Sequence, residues 1–199
     1  MLLKDTGGTE FAQAPVGTHV ARCVRLIDLG TQKGEYKGQA IFKRQLIIGW
    51  ELPTELIPDG EYAGKPFTVS RFYTQSLSEK ANLRKDLVAW RGKEFSDQEL
   101  SGFDAKNLLG KGCMLSIVMT EKGKAKVNSV MALPKAMRDS LPAQVNENVY
   151  FSLDEFNQLA FDSLSDGFKR MIAVSPEYIQ IQQGDNQAHA DDTDDSIPF

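Results

Sequence analysis

Cations and aromatic residues recur together along this chain in groups whose chemistry suits a polyanion with stacked bases. Arg71, Phe72 and Tyr73 are consecutive; Lys33, Tyr36 and Lys37 are near neighbours, as are Lys43 and Arg44; Lys122, Lys124 and Lys126 alternate; Arg22 stands alone. A cation that neutralises a phosphate releases counterions, and an exposed ring stacks on a base whatever its identity. The sequence closes on a different chemistry. From Asp185 onward it has five acids, no Lys or Arg, and the ending Asp194-Asp195-Ser196-Ile197-Pro198-Phe199. This composition cannot build a core, so residues 185–199 are expected to form a disordered tether. Its tip suits a partner's apolar pocket beside an Arg or Lys. The pocket would take Ile197, Pro198 and the Phe199 ring, the cation would meet the α-carboxylate, and Asp194 and Asp195 would steer the encounter.

Strands must place the first group. Period-two alternation and turn residues mark a long first strand over residues 18–29, a Gly- and Lys-containing loop over 30–38, a second strand over 41–52 and a third over 67–75. In the second strand Phe42, Arg44, Leu46, Ile48 and Trp50 share one face, with Lys43, Gln45 and Ile47 on the other. Only one of Lys43 and Arg44 can therefore line a groove. A helix follows, with Ser78 as N-cap, Leu83, Leu87 and Trp90 on the apolar face, Lys80, Arg84, Lys85 and Arg91 opposite, and Gly92 at its end. A hairpin then sets Cys113, Leu115, Ile117, Met119, Ala125, Val127 and Met131 on a dry face and Ser116, Thr120, Lys124, Lys126 and Asn128 on a polar one. Trp50 and Trp90 are assigned to the core.

Three strands, a helix and two strands is the order of the OB-fold, a five-stranded barrel that binds ligands across strands two and three and the flanking loops. The expected class is thus mainly β (α+β), with the barrel over residues 1–135. Residues 136–184 are expected to be a helical extension packed on it. Ser152-Leu153-Asp154-Glu155 reads as a capping box and Phe151 with Phe156 as a hydrophobic staple, placing a helix start at Ser152. Phe156, Leu159 and Ala160, then Phe168, Met171 and Ile172, supply apolar stripes for packing on the barrel. A protein partner, or self-association into a homo-oligomer, is the alternative use.

The formal charge of −4 averages two unlike parts. Residues 1–135 carry 20 Lys and Arg against 15 Asp and Glu, a net of +5, whereas residues 136–199 carry 3 against 12, a net of −9. Basic charge lies where the strands are, as expected of a nucleic-acid binder with an acidic recruiting tail. Cys23 and Cys113 fall in strands without a C-x-x-C motif and read as buried free thiols, which suits a reducing cytoplasm and argues against zinc. No apolar run is long enough to span a membrane and no signal-peptide pattern is present. P-loop, H-E-x-x-H and G-x-S-x-G motifs are absent, and neither His19 nor His189 has a partner in sequence, so no enzyme, metal or cofactor is expected. Asp28, Glu35 and Glu51 could hold a metal at strand ends, but scattered carboxylates are usually solvated surface.

The Ile197-Pro198-Phe199 ending after an acid run resembles the tail of bacterial single-stranded DNA-binding proteins, in which that tip recruits genome-maintenance enzymes. Further strings, Gly49 to Pro53 (G-W-E-L-P), Glu79 to Leu87 (E-K-A-N-L-R-K-D-L), Trp90 to Lys93 (W-R-G-K) and the G-F-D around Phe103, resemble a family of bacteriophage and prophage proteins. That family is described as single-stranded DNA-binding or replication-associated, and the resemblance spans about residues 35–135. It implies sequence-independent binding and protection of single-stranded DNA during phage replication and recombination, in the cytoplasm of an infected or lysogenic bacterium. Host or phage replication and repair proteins would be the tail's partners. The alternative is a replication-associated adaptor that does not touch DNA; salt-sensitive oligonucleotide binding separates the two.

Overall fold

The computed structural model describes residues 12–191. Six strands, β1 (Gly17–Tyr36), β2 (Gln39–Leu56), β3 (Pro66–Thr74), β4 (Gly112–Met119), β5 (Ala125–Ala132) and β6 (Val149–Phe151), form one sheet in the order β3-β2-β1-β4-β5. All these neighbours pair antiparallel, and β6 joins β1 in parallel. The chain is thus mainly β with added helices, and its sheet is not closed by strand pairing. Arg71 of β3 donates to the Asn128 carbonyl of β5 at 2.9 Å, a side-chain bridge between the two edge strands.

β1 changes partners along its length. It pairs with β4 over Gly17–Arg22 and with β6 over Arg25–Ile27 on one edge, and with β2 from Arg22 to Tyr36 on the other. Register shifts after Cys23 and after Asp28 leave Val24 and Leu29 as extra residues, and such bulges bend a strand. The stretch expected as a loop is strand and turn: β1 and β2 continue to Tyr36 opposite Gln39, closed by Lys37 (φ 50°) and Gly38 (φ 78°). Two successive positive φ values match the right-handed twist of a two-residue hairpin.

One core lies between the inner face of the sheet and helix α1 (Asn82–Arg91). Leu46, Ile48, Trp50 and Leu52 of β2 meet Leu83, Leu87 and Trp90 there, and the Trp50 and Trp90 rings lie 5.9 Å apart. Gly92 ends α1 at φ 69°, as expected, but α1 begins four residues after Ser78, with Ala81 as an N-cap lacking a side-chain bond. Ser78 instead accepts the Ala81 amide through its carbonyl, closing a turn ahead of the helix. Between α1 and β4 lie the short helix α2 (Asp97–Ser101) and a 3₁₀ turn over Ala105–Leu108. In the β4–β5 hairpin the register shifts between Ser116 and Ile117 and leaves Asn128 as the extra residue. Inward alternation therefore moves from Met131 to Val130, which is buried while Met131 is exposed, as is Met119.

A second core covers the outer face of β1 and β2. Ile27, Leu29 and Ile47 pack against Phe151, Leu153, Phe161, Leu164 and Ile172. Phe161 comes from α4 (Gln158–Asp162), Ile172 from α5 (Asp166–Ala173) and Leu164 from the link between them, with the short α3 (Lys135–Arg138) before β6 and α6 (Pro176–Asp191) after α5. The helix start expected at Ser152 is not formed. Phe151 is in β6, the Leu153 amide donates to Asp28 at 3.2 Å, and Ser152 Oγ accepts only the Asp154 amide. α4 starts six residues later, capped by Asn157, which accepts from the Ala160 amide at 2.9 Å. Phe151 and Phe156 do meet, with ring centroids 6.1 Å apart, but as parts of the second core. Leu159 is 80% exposed, and Phe161 takes the inward place expected for it.

α6 extends to Asp191 and so includes the first seven residues of the segment expected as a tether. Asp194, Asp195, Ile197, Pro198 and Phe199 lie outside the described residues, as do residues 1–11. No helix among the described residues is long and apolar enough to cross a membrane.

Candidate nucleic-acid interface

β3 pairs with β2 only as far as Gln45, and β4 and β6 leave β1 before Asp28, so residues 31–44 leave the sheet as a two-stranded arm. Cross-strand register decides what each face of the arm carries. Lys33 stands opposite Phe42 on one face; Tyr36, Ile41 and Lys43 fall on the other, in line with Gln45, Ile47 and, across to β3, Phe72. Three aromatic side chains here are turned outward: Phe42 is 64% exposed, Tyr36 62% and Phe72 52%. Lys37 Nζ lies 5.5 Å from the Tyr36 ring centroid.

Between the arm and α1 lies a groove of about 610 Å³. Lys43, Phe72, Thr74, Ser76, Lys80 and Asn82 help to line it, and no acidic residue does. A mixed polar and basic channel with a ring on its wall can hold phosphates at the cations and a base against Phe72. Among the described residues Lys33, Lys37, Lys43 and Lys80 have no ion-pair partner.

The structure divides the residues expected at the interface into three groups. Tyr36, Lys43 and Phe72 share one face of the arm and β3, Lys33 stands on the other face, and Lys37 lies at the turn. Lys122, Lys124 and Lys126 are exposed on the β4–β5 hairpin, which lies beyond Gly17, at the opposite end of β1 from Tyr36. The remaining four are engaged in holding the fold, although Arg44 and Tyr73 also line the groove. Arg22 donates to the carbonyls of Gly110 at 3.0 Å and Pro142 at 2.7 Å, fastening two loops. Arg44 binds both oxygens of Asp28 and donates to Asp154 at 2.8 Å; its bonds to Asp28 raise an already high pKa further. Arg71 pairs with Asp86 at 2.9 Å and lies over the Tyr73 ring. Tyr73 is buried and donates its hydroxyl to Asp86 at 2.7 Å, and burial with that bond pushes the phenol pKa up.

Two side chains at this surface carried no sequence assignment to it. Phe42 looked inward by alternation with Leu46 and Trp50, and is outward only because the arm outruns the core. Lys80 was placed on the polar face of α1, but it lies before the helix on the groove wall.

Of the carboxylates considered for a metal, Glu35 is exposed on the arm, and Asp28 and Glu51 are used otherwise. Asp28 is buried and accepts from the Gly30 and Leu153 amides and from Arg44. Glu51 is fully buried and accepts from the Asn146 amide at 2.8 Å and its side chain at 2.9 Å, and from the Val145 amide. Among the described residues no group of three or more His, Cys, Asp or Glu is placed to hold a metal. Cys23 and Cys113 are buried free thiols, and burial pushes Cys23 up to about 12. His19 does find partners, Glu55 at 3.1 Å and the Pro15 carbonyl at 2.9 Å, which tie the start of β1 to the end of β2. His189 lies where side chains are not described. Comparison with protein-family models finds no match for this chain, and comparison with curated proteins finds none either.

Proposed function

We propose that this chain binds single-stranded DNA without sequence preference along the arm and its groove, protecting it during phage replication and recombination. The observation that carries the reading is the set of outward rings, Tyr36 and Phe72 on one face and Phe42 on the other, with Lys33, Lys37, Lys43 and Lys80 beside them. Exposed rings cost solubility unless something covers them, and stacked bases cover them while lysines meet phosphates. The strand order β3-β2-β1-β4-β5, with Arg71 spanning the open edges, supports an OB-type Greek-key barrel as the scaffold. The acidic segment ending Asp194 to Phe199 would hold replication or repair proteins to the bound strand.

A gel-shift titration of an oligo(dT) strand, with duplex of the same length as competitor, tests the reading. Binding that duplex does not displace supports it; no binding at low salt rejects it in favour of the adaptor.

A further inference from the structure

The groove has a side chamber. Gln75 and Ser76, on the segment between β3 and α1, line both the groove and an apolar pocket of about 180 Å³ between β2 and α1. Its floor is made by the buried side chains of Leu46, Ile48, Leu83, Leu87 and Leu108, and its rim includes Gln75, Ser76 and the half-buried Ala105. No charged residue lines it. The Gln75 amide donates to the Arg44 carbonyl at 2.9 Å, which fixes the residue beside the end of the β2–β3 pairing. Ser76 Oγ is engaged by the Ser78 amide at 3.2 Å. The Gln75 carboxamide is exposed at the rim and has no hydrogen-bond partner among the described residues.

An uncharged pocket opening from a basic groove separates the two halves of a nucleotide. A phosphate is excluded, since an unpaired charge among leucines is costly, and stays with Lys43 and Lys80 in the groove. A base is an uncharged ring that apolar walls accept. Size narrows the choice: an apolar cavity of about 150 Å³ takes up one benzene ring, so a chamber of about 180 Å³ suits a single six-membered ring with its substituents and not the fused rings of a purine. Gln75 supplies the polar edge. Its carboxamide presents a donor beside an acceptor, and each pyrimidine offers a matching pair, N3–H with O4 in thymine and N3 with N4–H in cytosine. We propose that the pocket between β2 and α1, with Gln75 at its rim, seats one pyrimidine base of the strand bound in the groove. The proposal rests on reading the groove as a single-strand site. It adds one position at which a ring is enclosed and hydrogen-bonded rather than stacked on an outward face, so that pyrimidine strands bind more tightly than purine strands.

Anisotropy titrations of the full chain with two labelled strands of equal length, one of mixed dT and dC and one of mixed dA and dG, test this. The pyrimidine strand should bind about tenfold more tightly. A purine strand also stacks on itself, so two variants separate the causes. Gln75→Ala changes an exposed side chain and should reduce the preference about threefold. Ala105→Phe fills the pocket from its rim without altering a charge and should abolish the preference, with the salt slope of each strand unchanged. If Ala105→Phe does not fold, Gln75→Ala decides. A preference that Gln75→Ala leaves intact overturns the proposal, as does equal binding of the two strands by the natural chain. Equal binding rejects the pyrimidine seat alone, whereas no binding of either strand at low salt rejects the groove as a single-strand site and the seat with it.

Discussion

Glu177 grips Thr31 with both carboxylate oxygens: one accepts the Thr31 amide at 2.9 Å, the other its hydroxyl at 2.6 Å. The contact joins the first turn of α6 to the root of the arm. Burial alone would raise the Glu177 carboxyl, but the two bonds from Thr31 outweigh it and hold the group below its ordinary value, with Arg44 adding to the effect. A carboxyl depressed in the folded state stabilises the fold above its unfolded value of about 4.3, and that contribution is lost as pH falls through the folded value. Acid below the ordinary glutamate range is therefore expected to free α6 from the arm root. The Thr31 amide resonance should report this in the natural chain and show no such titration in Glu177→Gln.

Lys43 and Arg44 are adjacent on β2 and are expected to behave oppositely. Arg44→Ala leaves the buried Asp28 carboxylate without its guanidinium and should destabilise the fold by about 2–4 kcal/mol in urea denaturation. Lys43 is exposed, so Lys43→Ala should alter stability by less than about 0.5 kcal/mol. Its effect should be weaker oligonucleotide binding, with a salt slope reduced by about 1.

Phe72 and Tyr73 make the same division on β3. Phe72→Ala removes an outward ring and should cost about 1–3 kcal/mol of oligonucleotide affinity, leaving the unfolding midpoint in place. Tyr73→Phe deletes the hydroxyl bonded to Asp86 and should cost about 1–2 kcal/mol of stability with binding intact. Parallel urea and anisotropy titrations check both.

Gly30 lies at the bend where β1 enters the arm, at φ 69°, and a Cβ there would sit 2.5 Å from the Ser175 side chain and 2.8 Å from Leu153. Gly30→Ala thus combines a left-handed backbone with a clash against the start of α6. A destabilisation of about 2–4 kcal/mol is expected, with faster hydrogen exchange first in α5 and α6.

Much of the scaffold could be read from periodicity, because cores impose it. The Leu83, Leu87 and Trp90 spacing and the alternation through Leu46, Ile48 and Trp50 belong to residues that the core buries. Alternation put Ile47 on the face of Lys43 and Gln45 and did not indicate that β2 is covered on both faces there, which the second core does. Local motifs were less decisive, because tertiary contacts compete for the same groups. Ser96 and Glu99 form a reciprocal capping box, whereas the same S-x-x-E spacing at Ser152 does not, since β6 and Asp28 claim the backbone around it. Gly30, Gly34 and Gly38 suggested a loop; they instead serve a bend, an extended strand and a turn.

At the interface, residue type marked the cations and rings but could not separate Lys43 from Arg44, or Phe72 from Tyr73. That distinction depends on Asp28, Asp86 and Asp154, whose positions relative to β2 and β3 are fixed only by the fold.

The most direct test of the central claim is fluorescence anisotropy of labelled oligo(dT) across a salt series, comparing the natural chain with Tyr36→Ala/Phe42→Ala/Phe72→Ala. Four lysines contacting phosphates of a single strand predict a log–log salt slope of about −3. The triple variant should keep that slope while losing at least about tenfold in affinity, because stacking contributes without releasing counterions. Absence of binding at low salt, or equal affinity of the two proteins, would contradict the arm and groove as a single-strand binding surface.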